Sequence, residues 1–232
     1  IPCGAKLPVI ATIAGYIAGG AWWVAPAMYF LGIGLVIVYC IILKKTKMFE
    51  GDPAPFVMEL PAYHAPSPKG VLLSVLAILG HLLAPIFKPL GFGTWQAVAS
   101  SLSGFVAKEG IVSTMGVLSG LGEIEGYSAA YQAQFDAFFP STLAAFSFMV
   151  FNLFDSPCLA ALSTTAKELN NRKFFWYSVI FQNVSAYCVA LIVYQIGGLI
   201  LGEVSFGIAT AFAFAVLAFV LYLLFRPDPN KK

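Results

Sequence analysis

Asp155-Ser156-Pro157-Cys158-Leu159-Ala160-Ala161-Leu162 sets a cysteine directly after a proline, between two long apolar segments. Pro2-Cys3-Gly4-Ala5-Lys6-Leu7 repeats the pattern P-C-x-A-x-L near the other end of the chain. Two copies suggest a duplicated architecture. Ser156 is a candidate N-cap and Pro157 suits the first position of a helix, so Cys158 is expected in the first turn of a new helix. Asn152 and Asp155 suggest that the preceding helix ends or unwinds there. A helix interrupted at membrane depth exposes backbone polar groups, which is tolerated only where they line a cavity or are buried in protein.

The setting is a membrane because the composition allows little else. Of the 232 residues 59% are hydrophobic and 10% charged, with a mean hydropathy of +0.85, outside the range of soluble domains. Several runs approach the roughly 20 apolar residues that cross a bilayer as helix, and strict alternation is absent, so helices are expected to span rather than a barrel. The net charge of +2 does not suggest a nucleic-acid partner. Four cysteines without CxxC spacing indicate neither a disulfide framework nor a zinc finger. The chain opens at Ile1 with its motif already under way, and reads as a piece of something longer.

Basic residues flank the apolar runs and orient them. Leu7 to Gly20 is apolar with Gly15 and Gly19 in GxxxG spacing, and Ala21 to Leu43 ends at Lys44, Lys45 and Lys47, which belong on the cytoplasmic side. Met48 to Gly70, with prolines at 53, 55, 61, 66 and 68, is a cytoplasmic loop. For Val71 to Phe87, crossing, re-entrant and interfacial readings stay open. Gln96 to Gly122 is long enough to cross but carries Lys108-Glu109 in its middle, with Glu109, Ser113, Gly116 and Gly120 on one helical face. The acidic stretch from Glu123 to Asp136 fits the external side. Phe138 to Phe154, Phe174 to Leu201 and Phe206 to Phe225 then alternate, with Lys167, Arg172, Lys173 and the basic tail inside. Upstream the parity fails, so one crossing is missing or one segment does not cross. The chain divides into 1–47, a loop at 48–70, 71–173, and a C-terminal hairpin with a cytoplasmic tail at 174–232.

Where chemistry is concerned, the N-terminus of a new helix favours a thiolate at Cys158, a soft ligand for transition metals. Carbonyls freed at the break, with Asp155, Ser163 or Thr164, could complete its shell, and Cys158, Ala161, Thr165 and Glu168 share one face as a polar path. Cys40 and Cys188 read as small packing residues, Lys108-Glu109 as a charge pair between helices, His81 as a packing histidine and His64 as solvated. Ala107-Lys108-Glu109 recurs as Ala166-Lys167-Glu168, a weak echo.

Four motifs in order resemble a known family, the membrane domain of ferrous iron transport protein B (FeoB): Pro2 to Val9 its C-x-A-K/R-L-P-V signature, Phe56-Val57-Met58-Glu59-Leu60-Pro61 with Tyr63-His64 its F-V-M-E-L-P loop, Gly104-Phe105-Val106-Ala107-Lys108-Glu109 with Val112 its G-F-x-A-K-E-x-x-V helix, and Phe151-Asn152-Leu153 through Cys158 its second cysteine gate. The resemblance implies an all-α polytopic transmembrane bundle with discontinuous gate helices in an inverted-repeat arrangement, in a prokaryotic cytoplasmic membrane, carrying Fe2+ as transported substrate. It implies that 1–47 holds the end of a first gate repeat and its following helix, and 71–173 a second gate repeat. It implies Cys3, Cys158, Glu109 and Asp155 as metal ligands and Ser113, Ser163, Thr164 and Thr165 as path-lining residues. Its partners would be the lipid bilayer, Fe2+, its own N-terminal G domain with GTP and Mg2+, and small accessory Feo proteins, with a homo-oligomer left open. No G-x-x-x-x-G-K-[ST] loop occurs in the chain, so no GTPase activity is expected of it. The family also has a further span before the segment resembling Val71 to Phe87, and its omission here would restore the parity. Alternatives are a gate-fold permease for an organic solute such as a nucleoside, and an assembly element using Gly15/Gly19, Gly116/Gly120 and Gly198/Gly202. An enzyme with Cys158 as nucleophile lacks a nearby histidine base.

Overall fold

The computed structural model describes residues 6–18, 23–44, 69–120, 136, 138–169 and 171–226. Cys3, His64, the F-V-M-E-L-P loop, Gly19 and the acidic stretch from Glu123 to residue 135 lie outside the described residues. Within them the chain is helical and has no strand: α1 Leu7–Ala18, α2 Val24–Lys44, α3 Lys69–Phe87 with a 3-10 turn at Lys88–Leu90, α4 Trp95–Val106, α5 Gly110–Leu118, α6 Thr142–Phe154, α7 Leu159–Leu169, α8 Arg172–Leu201 and α9 Ile208–Phe225.

Apolar length decides which of these can cross. Pro26–Leu43, Thr142–Leu169, Arg172–Leu201 and Ile208–Phe225 each satisfy the length and hydropathy of a span. The side chains of Phe212, Phe219, Tyr222 and Phe225 on α9 are exposed, which a helix apolar all round tolerates in lipid and not in water. The protein is an all-α, polytopic helical membrane protein.

Local signals set the ends. The Ser141 hydroxyl accepts the Ala144 N–H at 3.2 Å and caps α6, and Asn171 accepts the Lys173 N–H at 3.0 Å to start α8. Gly202 closes α8 at φ +75°, with the Glu203 N–H donating back to the Gly198 carbonyl at 2.9 Å. A Cβ on Gly198 would stand 2.4 Å from Val204 Cγ2, so this glycine serves the turn of its own helix. The Gly198/Gly202 spacing therefore has a local purpose before any assembly role.

α6 is the centre of the packing. Ala144, Ala145, Phe148, Met149, Val150, Phe151 and Leu153 are buried, against α8, α1 and the residues after α3. Phe92 is fully buried and meets Phe148 edge-on with ring centroids 5.3 Å apart, while Phe87 meets Phe151 at 5.2 Å. α3 and α4 run together as a pair bent by 102°. His81, itself exposed, stacks on Trp95 at 4.9 Å across that bend, and Gly80 permits the approach of the two helices because a Cβ there would lie 2.5 Å from the Trp95 carbonyl.

Two sequence expectations change. Gln96 to Gly122 is not one helix: it breaks at Ala107, whose backbone is extended, and α5 packs back against α4 so closely that a Cβ on Gly104 would stand 2.7 Å from Ile111 Cδ1. In a continuous helix those positions are about 10 Å apart along the axis. This is the geometry of a segment that does not cross by itself, one of the two ways in which the parity can be met. Glu109, Ser113 and Gly120 are exposed while Gly116 is buried; Glu109 precedes α5 and Gly120 follows it, so only Ser113 and Gly116 of the four stand within the helix. The second change concerns the quoted stretch, which lies inside one candidate span, Thr142–Leu169, rather than after it.

Candidate functional site

The site is built where helices stop. α6 ends at Asp155, whose N–H still donates to the Phe151 carbonyl at 2.9 Å while its backbone turns extended. The chain stays non-helical through Cys158, and the first bond of α7 runs from the Leu162 N–H to the Cys158 carbonyl at 2.9 Å. Cys158 therefore stands at the cap rather than in the first turn, and Ser156 is not the cap: it is fully buried and its hydroxyl accepts from Asn183 Nδ2 of α8 at 3.0 Å. Proline at 157 removes one N–H that would otherwise need a partner here.

Into this break comes a lysine from the other one. Lys108, between α4 and α5, has its side chain wholly buried, and its ammonium donates to both oxygens of the Asp155 carboxylate at 2.5 Å. The Asp155 side chain is equally buried. Lys6, at the start of α1, donates to the Leu153 carbonyl at 2.6 Å and lies 3.8 Å from Asp155 Oδ1. Three interrupted or beginning helices thus converge on one carboxylate. The sequence expectation of a charge pair between helices is met for Lys108, with Asp155 as its partner; Glu109 is exposed.

Polar side chains continue around the breaks. Asn152, 2% exposed, donates from Nδ2 to Ser101 Oγ at 3.1 Å and to the Phe148 carbonyl at 2.9 Å, tying α6 to α4. Beside Asp155 a cavity of about 430 Å³ opens between α2, the end of α6 and α8, lined among others by Lys6, Tyr39, Cys40, Asp155, Ser178 and Gln182. Cys158 is half-buried. Ser163, Thr164 and Thr165 on α7 donate to the carbonyls of Ala160, Ala160 and Ala161 at 2.7, 3.3 and 2.9 Å, and Ser113 is exposed on α5. Among the described residues no three His, Cys, Asp or Glu side chains gather where one metal ion could sit; Cys3 lies outside them. Sequence reasoning did not single out Lys6, Asn183 or Ser101, although Lys6 stands inside the repeated motif itself.

A family model for the C terminus of ferrous iron transport protein B matches residues 25–77. The chain is 30% identical to the Fe(2+) transporter FeoB of Staphylococcus aureus (strain MSSA476) over 239 residues, covering 85% of the chain and 35% of that protein. The chain belongs to the FeoB family. FeoB of Methanocaldococcus jannaschii is 27% identical over 86% of the chain and 36% of its own length, and FeoB of Escherichia coli (strain K12) 26% identical over 84% and 37%. The chain thus spans about a third of the length of the FeoB relatives it matches, in their C-terminal part. The S. aureus match runs over more residues, 239, than the 232 of this chain while covering 85% of it, so that FeoB carries internal residues with no counterpart here. No solved structure matches.

Proposed function

We propose that this chain forms part of the ion path of a ferrous iron transporter in a prokaryotic cytoplasmic membrane. The observation that carries the proposal is the break at Asp155–Cys158, inside a candidate span, in a chain whose relatives are named Fe(2+) transporters. Fe2+ accepts oxygen, nitrogen and sulfur ligands, and the break offers a carboxylate, a thiol and freed carbonyls within four residues. Cys158, immediately before α7, supplies the soft ligand. Asp155 supplies the charge. Ser163, Thr164 and Thr165, whose protons are given to the backbone, turn oxygen lone pairs toward a passing cation. Glu109 at the companion break and Ser113, a turn further along in α5, extend the route, and Cys3 marks the matching gate of a first repeat.

The tail after α9 is assigned to the cytoplasm, because Lys167, Arg172, Lys173 and Arg226 flank ends of α7, α8 and α9 that the positive-inside rule groups together. In the whole protein the path would work with an N-terminal G domain that uses GTP and Mg2+, with small accessory Feo proteins, and in a homo-oligomer or as a single copy. The test is Fe2+ uptake by the complete protein carrying Cys158→Ala at matched membrane levels: a loss supports the assignment, and unchanged uptake removes Cys158 from the path.

A further inference from the structure

The carboxylate of Asp155 is a cation site that the chain fills with its own ammonium groups. We propose that Lys108 is a tethered competitor there, and that a divalent cation entering from the adjoining cavity takes its place. The inference deepens the proposed function and rests on Asp155 being a ligand of the transported ion.

Three observations support an exchangeable occupant over a fixed structural bond. Asp155 is among the residues that line the cavity of about 430 Å³, with Lys6, Tyr39, Cys40, Ser178 and Gln182, so the break stands at the wall of a cavity. Gln182 Oε1, from a residue of the same cavity wall, is buried without a hydrogen-bond partner among the described residues, and an unpartnered acceptor oxygen suits a cation better than an anion or an apolar ligand. Both ammonium groups come from points where a helix begins or breaks, Lys108 from Ala107–Glu109 and Lys6 from the start of α1.

Electrostatics then sets the selectivity. With Lys108 on both carboxylate oxygens and Lys6 3.8 Å from one of them, a monovalent cation gains little over the ammonium it replaces, and a divalent ion gains more. Displacement leaves Lys108 without its partner near the ring of Phe105, whose centroid lies 5.8 Å from its ammonium, and that cost returns the lysine once the ion has left. The pair behaves as a gate that is shut by its own salt bridge.

The experiment is amine footprinting of the complete, detergent-solubilised protein with a small amine-directed reagent, read at the Lys108 peptide by mass spectrometry, without metal, with Fe2+ under anaerobic conditions and with Mg2+. Lys108 is expected to be almost unlabelled without metal and with Mg2+, and to gain label several-fold at saturating Fe2+. Unchanged labelling in a sample shown to have bound Fe2+ overturns the exchange. Fe2+ binding by Asp155→Asn separates the two levels: binding equal to the native protein removes Asp155 as a ligand and the exchange with it, whereas lost binding with unchanged Lys108 labelling in the native protein removes the exchange alone. Because the footprint is read on the native sequence, a variant that fails to fold does not decide it.

Discussion

Lys108 and Asp155 are 47 residues apart, and the ammonium of the first meets both oxygens of the second at 2.5 Å with neither side chain exposed. Each lies at a point where its helix is interrupted. A pair so buried stabilises only while both members are present, because removing one leaves a charge without a partner or water. Lys108→Met and Asp155→Leu are each expected to destabilise the protein by about 3–5 kcal/mol, and the double variant to recover most of that loss. Thermal unfolding in detergent with a double-mutant cycle measures it, and additive losses would contradict the pairing.

Gly104 is a packing condition for the same pair. A Cβ there would stand 2.7 Å from Ile111 Cδ1 and 3.7 Å from Lys108 Cδ, and Ile111 is fully buried. Gly104→Val should cost about 1–3 kcal/mol through overpacking, read as a lower unfolding midpoint.

Asn183 holds the other break through Ser156 Oγ. Asn183→Leu removes that hydrogen bond and leaves a buried hydroxyl, at a cost of about 1–3 kcal/mol. Alkylation of Cys158, two residues after Ser156, should quicken several-fold, while Cys188 keeps its native rate. Equal rates at Cys158 would show that Asn183 does not restrain the break.

The orientation of the last two helices is open to a direct test. A reporter fused after Lys232 is expected to be active only if it functions in the cytoplasm, and one inserted at Glu203, in the exposed turn between α8 and α9, only if it functions outside.

Apolar run length made the spans legible: α2, α8 and α9 lie within a few residues of the runs ending at Leu43, Leu201 and Phe225. The break at Ala107 was not legible as a break, since no proline or glycine stands at 107–109 to announce one; two adjacent charges in an apolar run gave the only sign, and they were compatible with a continuous helix whose charges met a neighbour. The break after Phe154 was legible because Asp155, Ser156 and Pro157 each disfavour a helix interior. The pairing of Lys108 with Asp155 depends on how α5 packs back on α4, which no local pattern encodes. The repeat of P-C-x-A-x-L did point to the right neighbourhood, since Lys6 of the first copy reaches Leu153 and Asp155 beside the second.

The central claim is that the break at Asp155–Cys158 lies on the route of Fe2+. Alkylation of the native complete protein, followed at Cys158, Cys40 and Cys188 by peptide mass spectrometry with and without Fe2+ under anaerobic conditions, tests it most directly. A thiolate ligand is shielded by a borderline-soft ion and not by a hard one. Saturating Fe2+ should slow the reaction at Cys158 several-fold, with Mg2+ without effect and Cys188 unchanged under both; a Cys158 rate that Fe2+ leaves untouched would contradict the account.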